Sequence, residues 1–145
     1  MAADVQELAE LVRLFTTGEL PKARWTHHAH LAVGLWHVDR YGPDDALARL
    51  RGGITRLNER HGTINSASSG YHETVTRAYV KLLDEFNRGF DASVPLAQRC
   101  ERLLGGPLAD PKLLLRFYTA ERLMSVRARA EWVEPDRGPC ALGPT

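Results

Sequence analysis

Apolar residues recur every three or four positions along most of the chain, which is the spacing that one face of an α-helix requires. The pattern predicts long helices over residues 4–16, 27–41, 44–60 and 71–88, and a shorter one over 96–104. Thr119 and Ser125 are typical N-cap residues and predict two more short helices. No alternating run of β-branched residues indicates a strand, so the predicted fold class is all-α, a single-domain helical bundle.

The chain divides into one domain and a short tail. Residues 1–135 carry all the predicted helices, and a chain of 145 residues suits a single hydrophobic core. Residues 136–145 contain the pairs Gly138-Pro139 and Gly143-Pro144. These pairs predict a loose C-terminal tail.

Composition and charge narrow the classes of partner. Lys and Arg number 19 against 18 Asp and Glu, a formal net charge of +1, so nothing favours nucleic acid or an anionic membrane. The N-terminus carries Asp4, Glu7 and Glu10 in place of a secretory signal, and no uncharged stretch reaches the about 18 residues that a membrane helix needs. Cys100 and Cys140 form no CxxC pair. We therefore expect a soluble, cytoplasmic protein that acts on a small molecule, with association into a homo-oligomer left open.

The predicted helix 27–41 carries histidines on an unusually apolar surface. Apolar residues surround nearly its whole circumference, so we expect it to be buried. His27 and His30 lie one turn apart, close enough for both imidazoles to bind one metal ion. His37 is about seven rises of 1.5 Å beyond His30 and is too far to join them. We expect His37, like His61, to be a core histidine that is satisfied by a hydrogen bond.

A metal site needs more than two imidazoles, and His72 is the candidate for the third. It begins the predicted helix 71–88 on its apolar face, as His27 begins the helix 27–41. Packing of the two helix N-termini against each other then brings three imidazoles together. Three histidines with one open position are typical of a catalytic transition-metal site, which zinc, iron, copper or nickel occupies rather than calcium or magnesium.

Glu73 is the predicted catalytic residue. It adjoins His72 but leaves its helix about 100° away, which suits a general base or a carboxylate that orients an imidazole. Glu73 also lies four residues before Arg77, so a surface ion pair in the first helical turn is an alternative explanation. Aromatic residues at helical spacing often belong to the core. Four of them are nevertheless candidates for the lining of a substrate pocket: Trp25 and Tyr71, and more generally Trp36 and Tyr79.

Three motifs carry a resemblance to a known family. They read W-T-H-H-A-H-L at 25–31, G-Y-H-E-T-V-T at 70–76 and R-A-E-W-V-E-P-D at 129–136. The chain resembles small, functionally uncharacterised bacterial proteins with H-x-x-H followed by Leu or Val, then Y-H-E-T-[IV]-T, then W-x-x-P-D. The resemblance covers most of the chain and implies a site formed by His27, His30, His72, Glu73, Thr76 and Arg129. It implies no particular activity, and Trp25 departs from a position where Phe is commoner.

The preferred functional hypothesis is a metal-dependent enzyme that acts on a small molecule. One transition-metal ion at His27, His30 and His72 would activate water or dioxygen, as in a hydrolase, a lyase or an oxygenase. Two alternatives stay open. In the first, His72 and Glu73 perform acid–base catalysis without a metal. In the second, the protein is a non-catalytic helical module that binds a small ligand, and its histidines are core residues.

Overall fold

The computed structural model describes residues 5–142, and within them it contains seven α-helices and no strand. The helices are α1 (Val5–Thr17), α2 (His27–Tyr41), α3 (Pro43–Arg60), α4 (Glu73–Arg88), α5 (Leu96–Leu104), α6 (Ala120–Leu123) and α7 (Val126–Ala130). Short 3-10 turns lie at Lys22–Arg24, Pro107–Ala109 and Leu113–Arg116. The predicted all-α class is confirmed, while Asp4, the expected start of the first helix, lies outside the described residues. None of the helices in this range is long and apolar enough to cross a membrane.

Helix α2 is the centre of the bundle and contacts α1, α3, α4 and α5. The helix begins after Thr26, whose hydroxyl accepts the Ala29 N–H at 3.2 Å. This N–H has no carbonyl partner within the helix, so the threonine caps it. Val33 and Leu35 on α2 have no exposed surface. The predicted burial holds for the middle of the helix, whereas His28 and His30 in its first turn are exposed.

Helix α3 runs without a break through the pair Gly52-Gly53. A Cβ atom at Gly53 would lie 2.5 Å from Cζ of Phe15, a distance that no side chain tolerates. Phe15 of α1 is itself 2% exposed, so its ring occupies the space that the missing side chain leaves. The glycine therefore permits close packing of α1 on α3.

Two histidines form hydrogen bonds with backbone carbonyls, one within α2 and one between elements. His37 is buried, and its Nδ1 donates to the carbonyl oxygen of Val33 at 2.8 Å. His61 donates from Nε2 to the carbonyl oxygen of Leu20 at 2.7 Å, which ties the end of α3 to the loop after α1. Both imidazoles are satisfied by a hydrogen bond, as predicted, but only His37 is a core residue, since His61 is half-buried.

The segment 131–133 is fastened to the core by two buried hydroxyl groups. Thr74 on α4 donates to the carbonyl oxygen of Glu131 at 2.7 Å and accepts the N–H of Val133 at 3.2 Å. Tyr118 donates to the carbonyl oxygen of Val133 at 2.7 Å. Neither Thr74 nor Tyr118 has exposed surface, so these bonds form away from solvent.

Residues 136–142 pack on the helices, which differs from the predicted loose tail, whose last residues, 143–145, lie outside the described part of the chain. The carboxylate of Asp136 accepts from both the backbone N–H and the hydroxyl of Thr119, each at 2.8 Å. Cys140 is 1% exposed. The backbone N–H of Leu142 donates to Glu85 at 3.2 Å. Glycine and proline content gave no sign of these long-range contacts, which make residues 136–142 part of the domain.

Candidate functional site

The predicted site residues separate into two groups on different faces of α4. One group lines an enclosed space between α2, α3 and α4, here called the inner cavity: Trp25, His27, His30 and Thr76. The other lines an open groove between α3, α4 and α7, here called the outer cleft: Tyr71, Glu73 and Arg129. His72 lines neither space. The single site expected from the motifs is therefore divided.

The inner cavity has a volume of about 110 Å³ and is mostly apolar. Its remaining lining comes from Leu31, Gly34, Leu50, Ile54, Val75, Tyr79, Val80 and Leu83. The polar groups that reach it are few, which is typical of sites for small molecules because a few polar contacts orient an otherwise apolar ligand. A Cβ at Gly34 would lie 2.7 Å from Cδ1 of Leu83, so the glycine keeps this side of the space open.

His30 is the group most clearly presented to the inner cavity. Its ring lies against Trp25 with 3.8 Å between ring centroids, and the residue both borders the cavity and is exposed to solvent. Burial among protein atoms, and then the neighbouring His27, lower the pKa of His30 to about 4. The imidazole is therefore uncharged at neutral pH, and its ring nitrogens form no hydrogen bond with any group in the described part of the chain.

His27 is oriented by a backbone contact. Its Nε2 donates to the carbonyl oxygen of Leu108 at 3.2 Å, since a carbonyl can only accept. This tautomer leaves Nδ1 with a lone pair. The ring meets Tyr79 edge-on, with 5.7 Å between the centroids, so His27 and Tyr79 border the same space.

His72 is occupied as the N-cap of α4 and does not join His27 and His30. Its Nδ1 accepts the N–H of Val75 at 3.2 Å, and its Nε2 donates to the carbonyl oxygen of Leu123 at 2.7 Å. The helix begins at Glu73, after the position that was expected to lie on its apolar face. Within residues 5–142 no group of three or more His, Cys, Asp or Glu side chains is arranged to hold a metal ion. Metal binding stays a prediction, and of the three histidines only His27 and His30 line a common space.

Tyr79 is a site residue that the sequence placed only among general aromatic candidates. Its hydroxyl is buried and has no hydrogen-bond partner among the described residues. Burial, and secondarily Asp110, raise the pKa of Tyr79 to about 12, so the hydroxyl keeps its proton. The available signal was its position three residues after Thr76 on the same helix face. A buried hydroxyl without a partner is unusual and marks a place where a ligand or water would be accepted.

In the outer cleft, Glu73 is held by three donors. Arg51 on α3 donates from Nε at 2.8 Å and from Nη2 at 2.7 Å, and the Tyr71 hydroxyl donates at 2.7 Å. These contacts, Arg51 first, lower the pKa of Glu73. A carboxylate so engaged is a poor proton acceptor, because protonation would break charge-assisted hydrogen bonds. Its ion-pair partner is Arg51, 22 residues away, and not the predicted Arg77.

Comparisons of the chain with protein-family models, curated proteins and solved structures find no match in any of the three. The resemblance carried by the motifs accordingly stays a prediction. The functional argument depends on the geometry of the inner cavity and the outer cleft.

Proposed function

We propose that the protein binds a small, largely apolar molecule with one hydrogen-bond donor in the inner cavity. The observation that carries this proposal is the uncharged imidazole of His30, which borders the cavity with its ring nitrogens unused. A neutral imidazole accepts a hydrogen bond from an N–H or O–H group without the cost of burying a charge. Tyr79, whose buried hydroxyl has no partner among the described residues, lines the same cavity.

The size of the inner cavity limits the ligand. An apolar cavity of about 150 Å³ binds benzene, so a space of about 110 Å³ suits a molecule of roughly five heavy atoms. The lining is apolar apart from a few polar groups, so most of the binding energy would come from apolar contact. The hydrogen bond to His30 would then decide between ligands of similar shape.

Pyrrole and furan provide a direct test, because both are five-membered rings and only pyrrole has an N–H donor. Pyrrole is expected to bind at least fivefold more tightly than furan, measured by NMR titration of amides along α2 and α4. The preference should disappear in His30→Phe and persist in His28→Phe, whose side chain is exposed on the same helix. Equal affinity for both ligands in the unmodified protein would contradict the proposal, as would shifts confined to residues outside the cavity.

Tyr79→Phe is expected to raise the free energy of unfolding of the ligand-free protein by about 1 kcal/mol, because it removes a buried hydroxyl without a partner. Tyr118→Phe is the matched control. It deletes a buried hydroxyl that donates to Val133 and should lower the free energy of unfolding by about 1 kcal/mol. Urea denaturation of the three proteins measures both effects, and a loss of stability in Tyr79→Phe would show that its hydroxyl already has a partner.

A metal-dependent enzyme is the second candidate function, and the orientation of His27 favours it. Imidazoles that ligate metals commonly donate their other N–H to a backbone carbonyl, as His27 does to Leu108. The remaining ligands would come from water or substrate, since His72 is engaged elsewhere. Zinc titration followed by calorimetry tests this candidate: His30→Ala should abolish binding and His72→Ala should not. Absence of saturable zinc binding in the unmodified protein would reject it.

A further inference from the structure

The outer cleft carries positive charge that its own carboxylates do not neutralise. Two acidic side chains line it, and each has an ion-pair partner. Glu73 is paired with Arg51. Glu131 is paired with Arg127, with 3.2 Å between Nε of the arginine and Oε1 of the glutamate. Two other lining arginines, Arg77 and Arg129, form no ion pair within residues 5–142. Like charges that line one groove repel each other, and an anion relieves that repulsion.

Arg129 is fixed in place by the turn before α4. Its Nη1 donates to the carbonyl oxygen of Gly70 at 2.8 Å. Gly70 has φ +79°, and a Cβ there would lie 2.5 Å from Oδ1 of Asn65, so the turn requires glycine. The Nε and Nη2 groups of Arg129 donate to nothing in the described part of the chain. A rigid turn thus holds a guanidinium whose other donors are free.

Arg77 is fixed by an aromatic ring. Its Cζ lies 4.9 Å from the centroid of the Trp132 ring, and the indole is itself held by a 3.0 Å hydrogen bond to Glu134. A cation held over an aromatic ring is attracted to the ring face without needing a hydrogen bond. No N–H group of Arg77 donates to another described residue.

We propose that the outer cleft binds the phosphate group of a small organic phosphate monoester, with Arg77 and Arg129 as the receiving groups. Two guanidinium groups that line one cleft and form no ion pair with the described residues supply positive charge and N–H donors, and arginine binds phosphate oxygens through paired hydrogen bonds. A volume of about 990 Å³ leaves room for the organic part of the ligand. The formal net charge of +1 for the whole chain gives no wider basic surface for a polyanion such as nucleic acid. This site is separate from the inner cavity, so it does not depend on the proposed function.

Inorganic phosphate and phenyl phosphate test the site at constant ionic strength, with chloride as the reference anion. We expect saturable shifts of the Trp132 indole N–H and the Gly70 amide in ¹⁵N NMR spectra for both phosphates. Arg77→Gln and Arg129→Gln should each weaken binding at least fivefold. The matched control is Arg88→Gln, which changes an exposed arginine on α4 that pairs with Asp84 and should leave affinity unchanged.

Three results would overturn the proposal. The first is that chloride at the same ionic strength reproduces the NMR shifts. The second is that Arg77→Gln leaves the affinity for both phosphates unchanged. The third is that inorganic phosphate binds and phenyl phosphate does not. Should Arg129→Gln fail to fold because the contact with Gly70 is lost, Arg77→Gln decides alone, since its guanidinium forms no hydrogen bond that holds the described backbone.

Discussion

Glu73→Gln is expected to lower the free energy of unfolding by about 2 kcal/mol, because hydrogen bonds to a charged group are among the strongest in a protein. The Glu73 side chain is 12% exposed and accepts from Arg51 twice and from Tyr71 once. Glutamine keeps one acceptor oxygen but turns an amide N–H₂ toward a guanidinium that can only donate. Urea denaturation at pH 7 measures the effect.

Arg77→Gln and Arg51→Gln separate the two explanations for Glu73. If Glu73 is held as the structure shows, Arg51→Gln should destabilise the protein by about 2 kcal/mol and Arg77→Gln by no more than about 0.5 kcal/mol. The double variant Glu73→Gln with Arg51→Gln should cost less than the sum of the single changes, because both remove the same bonds. If Arg51→Gln and Arg77→Gln lowered the free energy of unfolding equally, Glu73 would be paired with Arg77 as well, as the alternative explanation from the sequence expected.

Acidification from pH 6.5 to pH 4 is expected to lower the free energy of unfolding by about 1 to 2 kcal/mol through His30. The pKa of His30 falls to about 4 in the fold and is near 6.5 in the unfolded chain, so the unfolded state binds the proton first. Stability is therefore complete above pH 6.5 and is lost progressively down to pH 4. The whole pKa shift of His30 would correspond to a larger loss of free energy of unfolding. The expected loss is smaller because His30 is exposed to solvent, which screens its charge.

His30→Gln should flatten this part of the stability curve, whereas His28→Gln, an exposed change on the same helix, should leave it as it was. Burial also lowers the pKa values of His37 and His72, so a smaller slope remains in both variants. The contribution of Glu73 is lost at lower pH, because its pKa lies below the usual value for glutamate. If His30→Gln left the slope of the free energy of unfolding against pH unchanged, the pKa of His30 would not be lowered by its surroundings in the fold.

Local signals in the sequence predicted the helices well. Thr26, Thr119 and Ser125 were expected to begin helices, and each hydroxyl accepts the backbone N–H three residues later. His72 was not expected to do so, because imidazole is not among the usual cap groups. What makes it a cap is its bond to the carbonyl oxygen of Leu123, 51 residues away. That contact has no signature in a helical pattern.

The same limit applies to the candidate site. The spacing of His27 and His30 on one helix predicted correctly that they share a space, because one helix fixes both positions. Glu73 was assigned a neighbour four residues away, yet its partner comes from another helix. Partners from other elements depend on how helices cross, which residue spacing within one helix does not determine.

The motif at residues 70–76 holds the fold together as well as lining the cleft. His72 and Thr74 bond distant parts of the chain, at Leu123 and Glu131. Tyr71 and Thr76 bond within the motif, to Glu73 and to the carbonyl oxygen of His72. A run of polar residues that looks catalytic in sequence therefore has a structural explanation at almost every position. The inner cavity is lined mainly by apolar residues, which are harder to recognise as a site in the sequence.

The fastening of residues 131–133 to Thr74 and Tyr118 has a consequence for how the protein is made. A ribosome releases α4 and Tyr118 before the segment that supplies their hydrogen-bond partners. Until that segment emerges, the hydroxyls of Thr74 and Tyr118 can bond only to water. The core around them is incomplete, because the hydrogen bonds to residues 131–133 have not formed. The growing chain thus cannot finish folding helix by helix, and its final compact state forms only after residue 133 has been synthesised.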